Sequence, residues 1–322
     1  MPEMLKYIGQ RFVVAARVER ACDTHNYKGA RRIPDAVILD DLRCDGTAHD
    51  GCGARCRIYW KEKWLRKVGD LEQATSESAE PSTELESLVR RATTMPTSDG
   101  STIYRSQATE LLRASVPVPG WSLASLRREV ACGNVEPPRF ARVMTAAVLT
   151  RARYRGVRAA IKLAAKVVRI LGVRDAARRV RSELAPHREK APPPKGLQPG
   201  QLVRIKPLKE ISRQLDERKK TRGLYFDVPE MGPYCGREAT ILARVERFID
   251  EPTGRMIELK SDCYMLDGVV CSGDRSDRRW FCPRAIYPWW RESWLSVAGT
   301  QSPAPTARLG PSNGRGTSGS AG

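Results

Sequence analysis

The chain has 322 residues, 41% hydrophobic and 29% charged, with a formal net charge of +19. That apolar content suffices for two cored domains and excludes a disordered polyelectrolyte, while the positive excess favours anionic partners such as nucleic acid or an anionic surface. No run reaches the ~18 uncharged apolar residues of a membrane span.

Residues 1–69 read as a first compact module. Phe12 to Val18 and Ala36 to Leu42 are strand-like, and Cys56 to Val68, rich in Trp and Leu, reads as a helix. Residues 70–100 are acidic and rich in Ser, Thr and Pro, the composition of a disordered linker. Residues 101–190 read as helical, with Glu110–Leu112 in one helix, Leu123–Val130 in another, and a basic amphipathic stretch from Arg139 to Leu184. Residues 191–200, APPPKGLQPG, form a Pro-rich linker. Residues 201–298 read as a second module. Strands are expected at Gln201–Ile205, Thr240–Ile249, Met256–Lys260 and Tyr264–Cys271, with a short helix at Lys209–Leu215. Residues 299–322 form a Gly/Ser/Pro tail with no core-forming side chains.

The two modules repeat each other at an offset of 227. Tyr7 and Gly9 match Tyr234 and Gly236, Ala16-Arg17-Val18-Glu19-Arg20 matches Ala243-Arg244-Val245-Glu246-Arg247, and Asp23 matches Asp250. Leu39-Asp40, Cys44 and Gly46 match Leu266-Asp267, Cys271 and Gly273. After a three-residue insertion, Cys52, Trp60, Glu62 and Trp64-Leu65 match Cys282, Trp290, Glu292 and Trp294-Leu295. The expected fold is α+β: two related small β-barrel-like, SH3-like Cys-rich modules, joined by the acidic linker and the helical middle. Each Trp-x-Glu-x-Trp-Leu segment is expected to be a helix that covers its barrel.

Met1–Arg20 has no signal-peptide pattern, so the expected location is the cytoplasm, where clustered Cys point to metal or thiol chemistry rather than disulfides. The first module carries Cys22, Cys44, Cys52 and Cys56; the second carries Cys235, Cys263, Cys271 and Cys282. Four thiolates are what a closed tetrahedral zinc site takes, so two zinc ions per chain are expected, with an iron–sulfur cluster or plain buried thiols as alternatives. Cys132 lies outside both sets and reads as a packing residue. His49, in the loop between Cys44 and Cys52, is either an alternative ligand or base, or an exposed loop residue. Trp60, Trp64, Trp289, Trp290 and Trp294 read as core, and Glu62 and Glu292 as partners of Arg17 or Arg244. There is no P-loop, H-E-x-x-H or G-x-S-x-G motif.

In the basic stretch, Arg151, Arg155, Arg158, Lys162, Lys166 and Arg169 recur every three or four residues beside Val157, Ile161, Ala164, Val168 and Leu171. They form a candidate anion-binding face for nucleic acid, a lipid surface or a partner protein.

Four segments carry a family resemblance: Leu42–Gly46 through His49–Cys52 to Trp60–Glu62; Tyr104–Leu111; Arg222–Asp227; and Phe281–Pro288. They resemble a family of uncharacterised bacterial proteins often found near glycan or specialised-metabolite biosynthesis genes. That family often has a Cys where Ser106 stands here. The resemblance supports the modules and implies no known activity. The expected function is a zinc-stabilised accessory or interaction protein. The alternatives are a cysteine- or metal-dependent biosynthetic enzyme and a nucleic-acid-binding protein.

Overall fold

Val37, Ile38 and Leu39 are consecutive and all buried, which makes β4 (Ala36–Arg43) the central strand of the first module. It lies between β1 (Val14–Arg17) and β5 (Arg57–Lys61), both antiparallel to it. One face packs Ile38 with Val18, Ile33, Tyr59 and Leu111; the other packs Val37 and Leu39 with Ile58 and Trp60. The computed structural model describes residues 1–26, 29–68, 82–170 and 196–298. The end of the basic stretch, the tail and parts of both linkers lie outside the described residues.

The expected helix at Cys56–Val68 is instead β5 followed by one 3-10 turn, Glu62–Trp64. Ile58, Tyr59 and Trp60 suit a pleated strand buried on both faces, and pairing to β4 outweighs the helical reading. Trp64, expected in the core, is 57% exposed. A hairpin of β2 (Ala21–Cys22) and β3 (Ala30–Arg32) gains a third strand from the middle region, β8 (Val116–Val118).

The middle is more structured than expected. Helix α1 (Thr83–Arg91) falls inside the expected 70–100 linker, capped by the Ser82 hydroxyl, which accepts from the Leu85 N–H. Strands β6 (Thr94–Pro96) and β7 (Thr102–Tyr104) follow as a hairpin. Then come α2 (Leu111–Ala114), α3 (Leu123–Ala131) and the long α4 (Pro137–Ile170).

The second module is a five-stranded sheet. Its strands are β9 (Leu202–Ile205), β12 (Glu238–Arg244), β15 (Cys263–Leu266), β16 (Trp290–Arg291) and β17 (Leu295–Val297), in the order β16-β15-β12-β9-β17. Two small hairpins flank it: β10 (Lys220–Thr221) with β11 (Leu224–Tyr225), and β13 (Arg247–Ile249) with β14 (Met256–Glu258). The edge strands β16 and β17 are joined by the 3-10 turn Glu292–Trp294 and do not pair, so the sheet is not a closed barrel. Trp290 and Trp294 are fully buried around Phe226 and fill its core, as expected for these residues.

Pairings in the two modules recur at the sequence offset. Val14, Ala16 and Arg17 face Leu39, Ile38 and Val37; Ile241, Ala243 and Arg244 face Leu266, Met265 and Tyr264. The same register shift interrupts both pairs. Ala36 pairs with Lys61, and Cys263 with Arg291. The Cys44 N–H donates to the Cys56 carbonyl, and the Cys271 N–H to the Ile286 carbonyl.

Candidate metal centre

Where β4 ends, the chain turns into the loop from Cys44 to Cys52. Gly46 turns it in the left-handed region, at φ +78°, and a Cβ there would stand 2.2 Å from the Cys52 carbonyl oxygen. The loop carries His49 inward, to 1% exposure, rather than into solvent. There the ring meets Glu3, on the N-terminal 3-10 turn Pro2–Tyr7 and itself 4% exposed. His49 Nδ1 lies 2.7 Å from Glu3 Oε1, and His49 Nε2 lies 3.3 Å from the Arg105 carbonyl oxygen. The Cys44 thiol donates to the same Glu3 Oε1 at 3.5 Å. Glu3 Oε2 is buried with no hydrogen-bond partner. Among the described residues, Glu3, Cys44 and His49 form the one group of three such side chains whose ligand atoms lie within 4.8 Å of one another.

Burial alone would raise the Glu3 carboxyl, but the hydrogen bond and charge of His49, with the Cys44 thiol, outweigh it and hold the group below its ordinary value. Burial, then the negative charge of Glu3, pushes the Cys44 thiol far above its ordinary value. Both His49 nitrogens face oxygen acceptors. The ring satisfies both only with a proton on each nitrogen, or with a cation in place of one. An orphaned carboxylate oxygen, a thiol and an imidazole anchored through its far nitrogen fit a borderline ion such as zinc. They do not match the thiolate-rich set of an iron–sulfur cluster.

The two expected four-cysteine sites are not assembled: no three of those eight sulfurs come within ligand distance of one another. Neighbouring strands and loops aim the thiols at different partners. Cys22 and Cys282 meet across the module boundary, where the Cys22 N–H donates to Cys282 Sγ at 3.1 Å. The hydrogen bond from Cys282, then Arg284, lowers the Cys22 thiol to about 6. Cys52 Sγ accepts from the Ile249 N–H at 3.4 Å, and Cys263 Sγ from Arg291 at 3.1 Å. Burial raises Cys56 to about 11 and Cys271 to about 12. Cys235 is half-buried, its sulfur 4.0 Å from the Met231 carbonyl oxygen. Glu62 pairs with Arg17 at 2.7 Å, as expected, whereas Arg244 pairs with Asp262 at 2.6 Å.

The module boundary is reciprocal. Cys22 N–H to Cys282 and Ile249 N–H to Cys52 are the same contact made in both directions, since Ile249 corresponds to Cys22 and Cys282 to Cys52. Arg20 Nε donates to the Trp280 carbonyl at 3.1 Å, and Arg247 Nη1 to the Asp50 carbonyl at 3.5 Å, again at corresponding positions. Thr24 donates to Glu251, its own counterpart. This is the pattern of a two-fold, isologous interface inside one chain.

Glu3 is the site residue that the sequence reading missed. Its signal was present: Pro2-Glu3-Met4 and Tyr7 match Pro229-Glu230-Met231 and Tyr234 at the same offset of 227. Of the expected anion-binding residues, Arg155, Arg158, Lys162 and Lys166 are exposed on α4, Arg151 lies over the Trp121 ring, and the Arg169 side chain lies outside the described residues. No family model, curated protein or solved structure matches the chain.

Proposed function

We propose that the first module holds one zinc-like ion through Glu3, Cys44 and His49, and that this ion clamps the 44–52 loop to the N-terminal turn of a two-module accessory protein. The carrying observation is the contrast between Glu3 and its counterpart Glu230. Glu230 accepts from the N–H and hydroxyl of Ser272, the N–H of Arg275, and the N–H and hydroxyl of Ser276. Glu3 has the side chains of His49 and Cys44, its own N–H and the nearby Met1 ammonium, and keeps one carboxylate oxygen without a hydrogen-bond partner. A cation supplies in the first module what protein donors supply in the second. Bound there, it would take Cys44 as the thiolate.

On this reading the two modules derive from duplication of one small β unit. The shared strand registers, the matched Pro-Glu-Met segments and the reciprocal boundary support it. The basic helix meets an anionic surface, and the resemblance to proteins near biosynthesis genes fits a cytoplasmic role beside such enzymes. A metal-dependent enzyme is the second reading. It is favoured by a cavity of about 50 Å³, lined by Cys44, His49, Cys52, Cys56, Ser106 and Gln107, with room for water at a fourth metal position.

The test is metal analysis of the full chain purified without added metal. One zinc-like ion per chain is expected, retained in Cys271→Ser and lost in His49→Ala and Glu3→Gln. A folded chain without stoichiometric metal refutes the proposal. A chelator that lowers the melting temperature supports the clamp; a chelator that removes the ion with no loss of stability favours the enzyme.

A further inference from the structure

Among the described residues, helix α4 is anchored at its N-terminal end. Phe140, Val143, Met144 and Ala147 pack with Trp280 and Phe281, and Arg139 pairs with Asp274 at 2.8 Å. Beyond Arg151 the body ends, and every residue from Ala152 to Lys166 is exposed. Tyr154, Val157, Ile161 and Leu163 are each 57–64% exposed, so large apolar side chains stand in water. The whole helix contains nine Arg and Lys and no Asp or Glu.

The charges are not spread around it. At about 100° per residue, Arg151, Arg155, Arg158, Lys162 and Lys166 fall in one stripe roughly 80° wide and ~22 Å long. The rest of the circumference over this stretch holds Val157, Ile161, Leu163, Tyr154, alanines and a glycine, with Arg153 its one charge. The polar sector is the narrow one.

We infer that the distal half of α4 is an interfacial helix that lies on an anionic lipid surface. Its broad apolar sector enters the acyl boundary, and its cationic stripe meets the headgroup phosphates. A polyanion in water would neutralise the stripe but leave the apolar sector hydrated, and one aromatic among the charges offers little base stacking. No described helix is long and apolar enough to cross a membrane, so the association is peripheral. This inference is independent of the metal proposal.

Co-sedimentation of the full chain with vesicles tests it. Binding is expected to phosphatidylcholine mixed with phosphatidylglycerol, not to phosphatidylcholine alone, and should weaken with salt. The triple variant Arg155→Gln, Arg158→Gln, Lys162→Gln should lower partitioning about a hundredfold. Ile161→Asp should also abolish it, although the stripe is intact. These positions touch nothing in the body, so near-ultraviolet circular dichroism should match the parent. As a check that needs no variant, the mixed vesicles should slow tryptic cleavage at Arg155, Arg158 and Lys162 of the unaltered chain. Equal binding to both vesicles, binding indifferent to Ile161→Asp, or unchanged cleavage overturns the inference. Binding to duplex DNA instead of vesicles, unaffected by Ile161→Asp, would overturn it and assign the stripe to nucleic acid.

Discussion

Glu230→Ala removes the acceptor around which the loop from Cys271 to Cys282 is folded. The carboxylate takes the Ser272 N–H at 3.0 Å, the Arg275 N–H at 2.8 Å and the Ser276 N–H at 3.0 Å, besides two hydroxyls. The hydroxyls can turn to new partners, and Arg275 is an exposed residue whose N–H hydrogen bond to Glu230 is only partly buried. The Ser272 and Ser276 amides cannot turn, and each orphaned amide costs about 1–3 kcal/mol. The expected loss is therefore ~2–6 kcal/mol, a large share of the ~5–15 kcal/mol that holds a domain together. Urea unfolding followed by tryptophan fluorescence reads it, because Trp280 lies in this loop and packs against Trp121. Glu230→Gln keeps one acceptor oxygen and should lose less. The pH dependence has a definite sign. Burial would raise the Glu230 carboxyl, but the hydrogen bonds from Ser272, Arg275 and Ser276 outweigh it and hold it below its ordinary value. A depressed carboxyl stabilises fully above its unfolded value, and that stabilisation is lost as pH falls through the folded value. The gap between parent and Glu230→Ala should be constant near neutrality and narrow in acid. A loss under about 1 kcal/mol, or a gap that widens in acid, would refute the reasoning.

Three further outcomes are expected. Burial raises the Glu129 carboxyl to about 7, so parent stability should fall as pH rises from the ordinary carboxyl range to about 7 and then level off. Glu129→Gln should remove that slope and be more stable at pH ~8 by on the order of 2–3 kcal/mol; a flat parent profile in denaturant melts would contradict this. Gly46→Ala and Gly273→Ala should each cost at least about 2 kcal/mol, because both sit at positive φ with the added Cβ under 3 Å from the carbonyl oxygen of Cys52 or Cys282; unchanged melting temperatures would show that the loops yield. Cys44→Ser should lose the metal and much stability, while Cys271→Ser and Cys132→Ser keep the metal; equal metal content in all three would remove Cys44 from the ligand set.

Much of the architecture was legible because local patterns carry it. The strand-like runs Phe12–Val18, Ala36–Leu42 and Gln201–Ile205 overlap the observed strands Val14–Arg17, Ala36–Arg43 and Leu202–Ile205, and with the offset of 227 they follow from residue order alone. The same offset already paired Glu3 with Glu230, but a lone Glu in a terminal segment gives no sign that it will be buried. The Cys56–Val68 segment misled because its helical reading rested on composition, whereas pairing with β4 made it a strand.

The centre itself was decided in three dimensions. Counting cysteines predicted two tetrahedral sets, but a thiol's partner depends on the face from which its strand or loop presents it. β2 turns Cys22 to the other module, and the Gly46 turn brings Cys44 and His49 to Glu3 instead. The sequence by itself determined the offset of 227 and which residues correspond across it. Only the tertiary structure decided that in one module the buried carboxylate meets peptide and hydroxyl donors, while in the other it meets a thiol and an imidazole. The physical reason is that a buried carboxylate takes whatever donors the opposing loop presents, and the chain order does not record which donors those are.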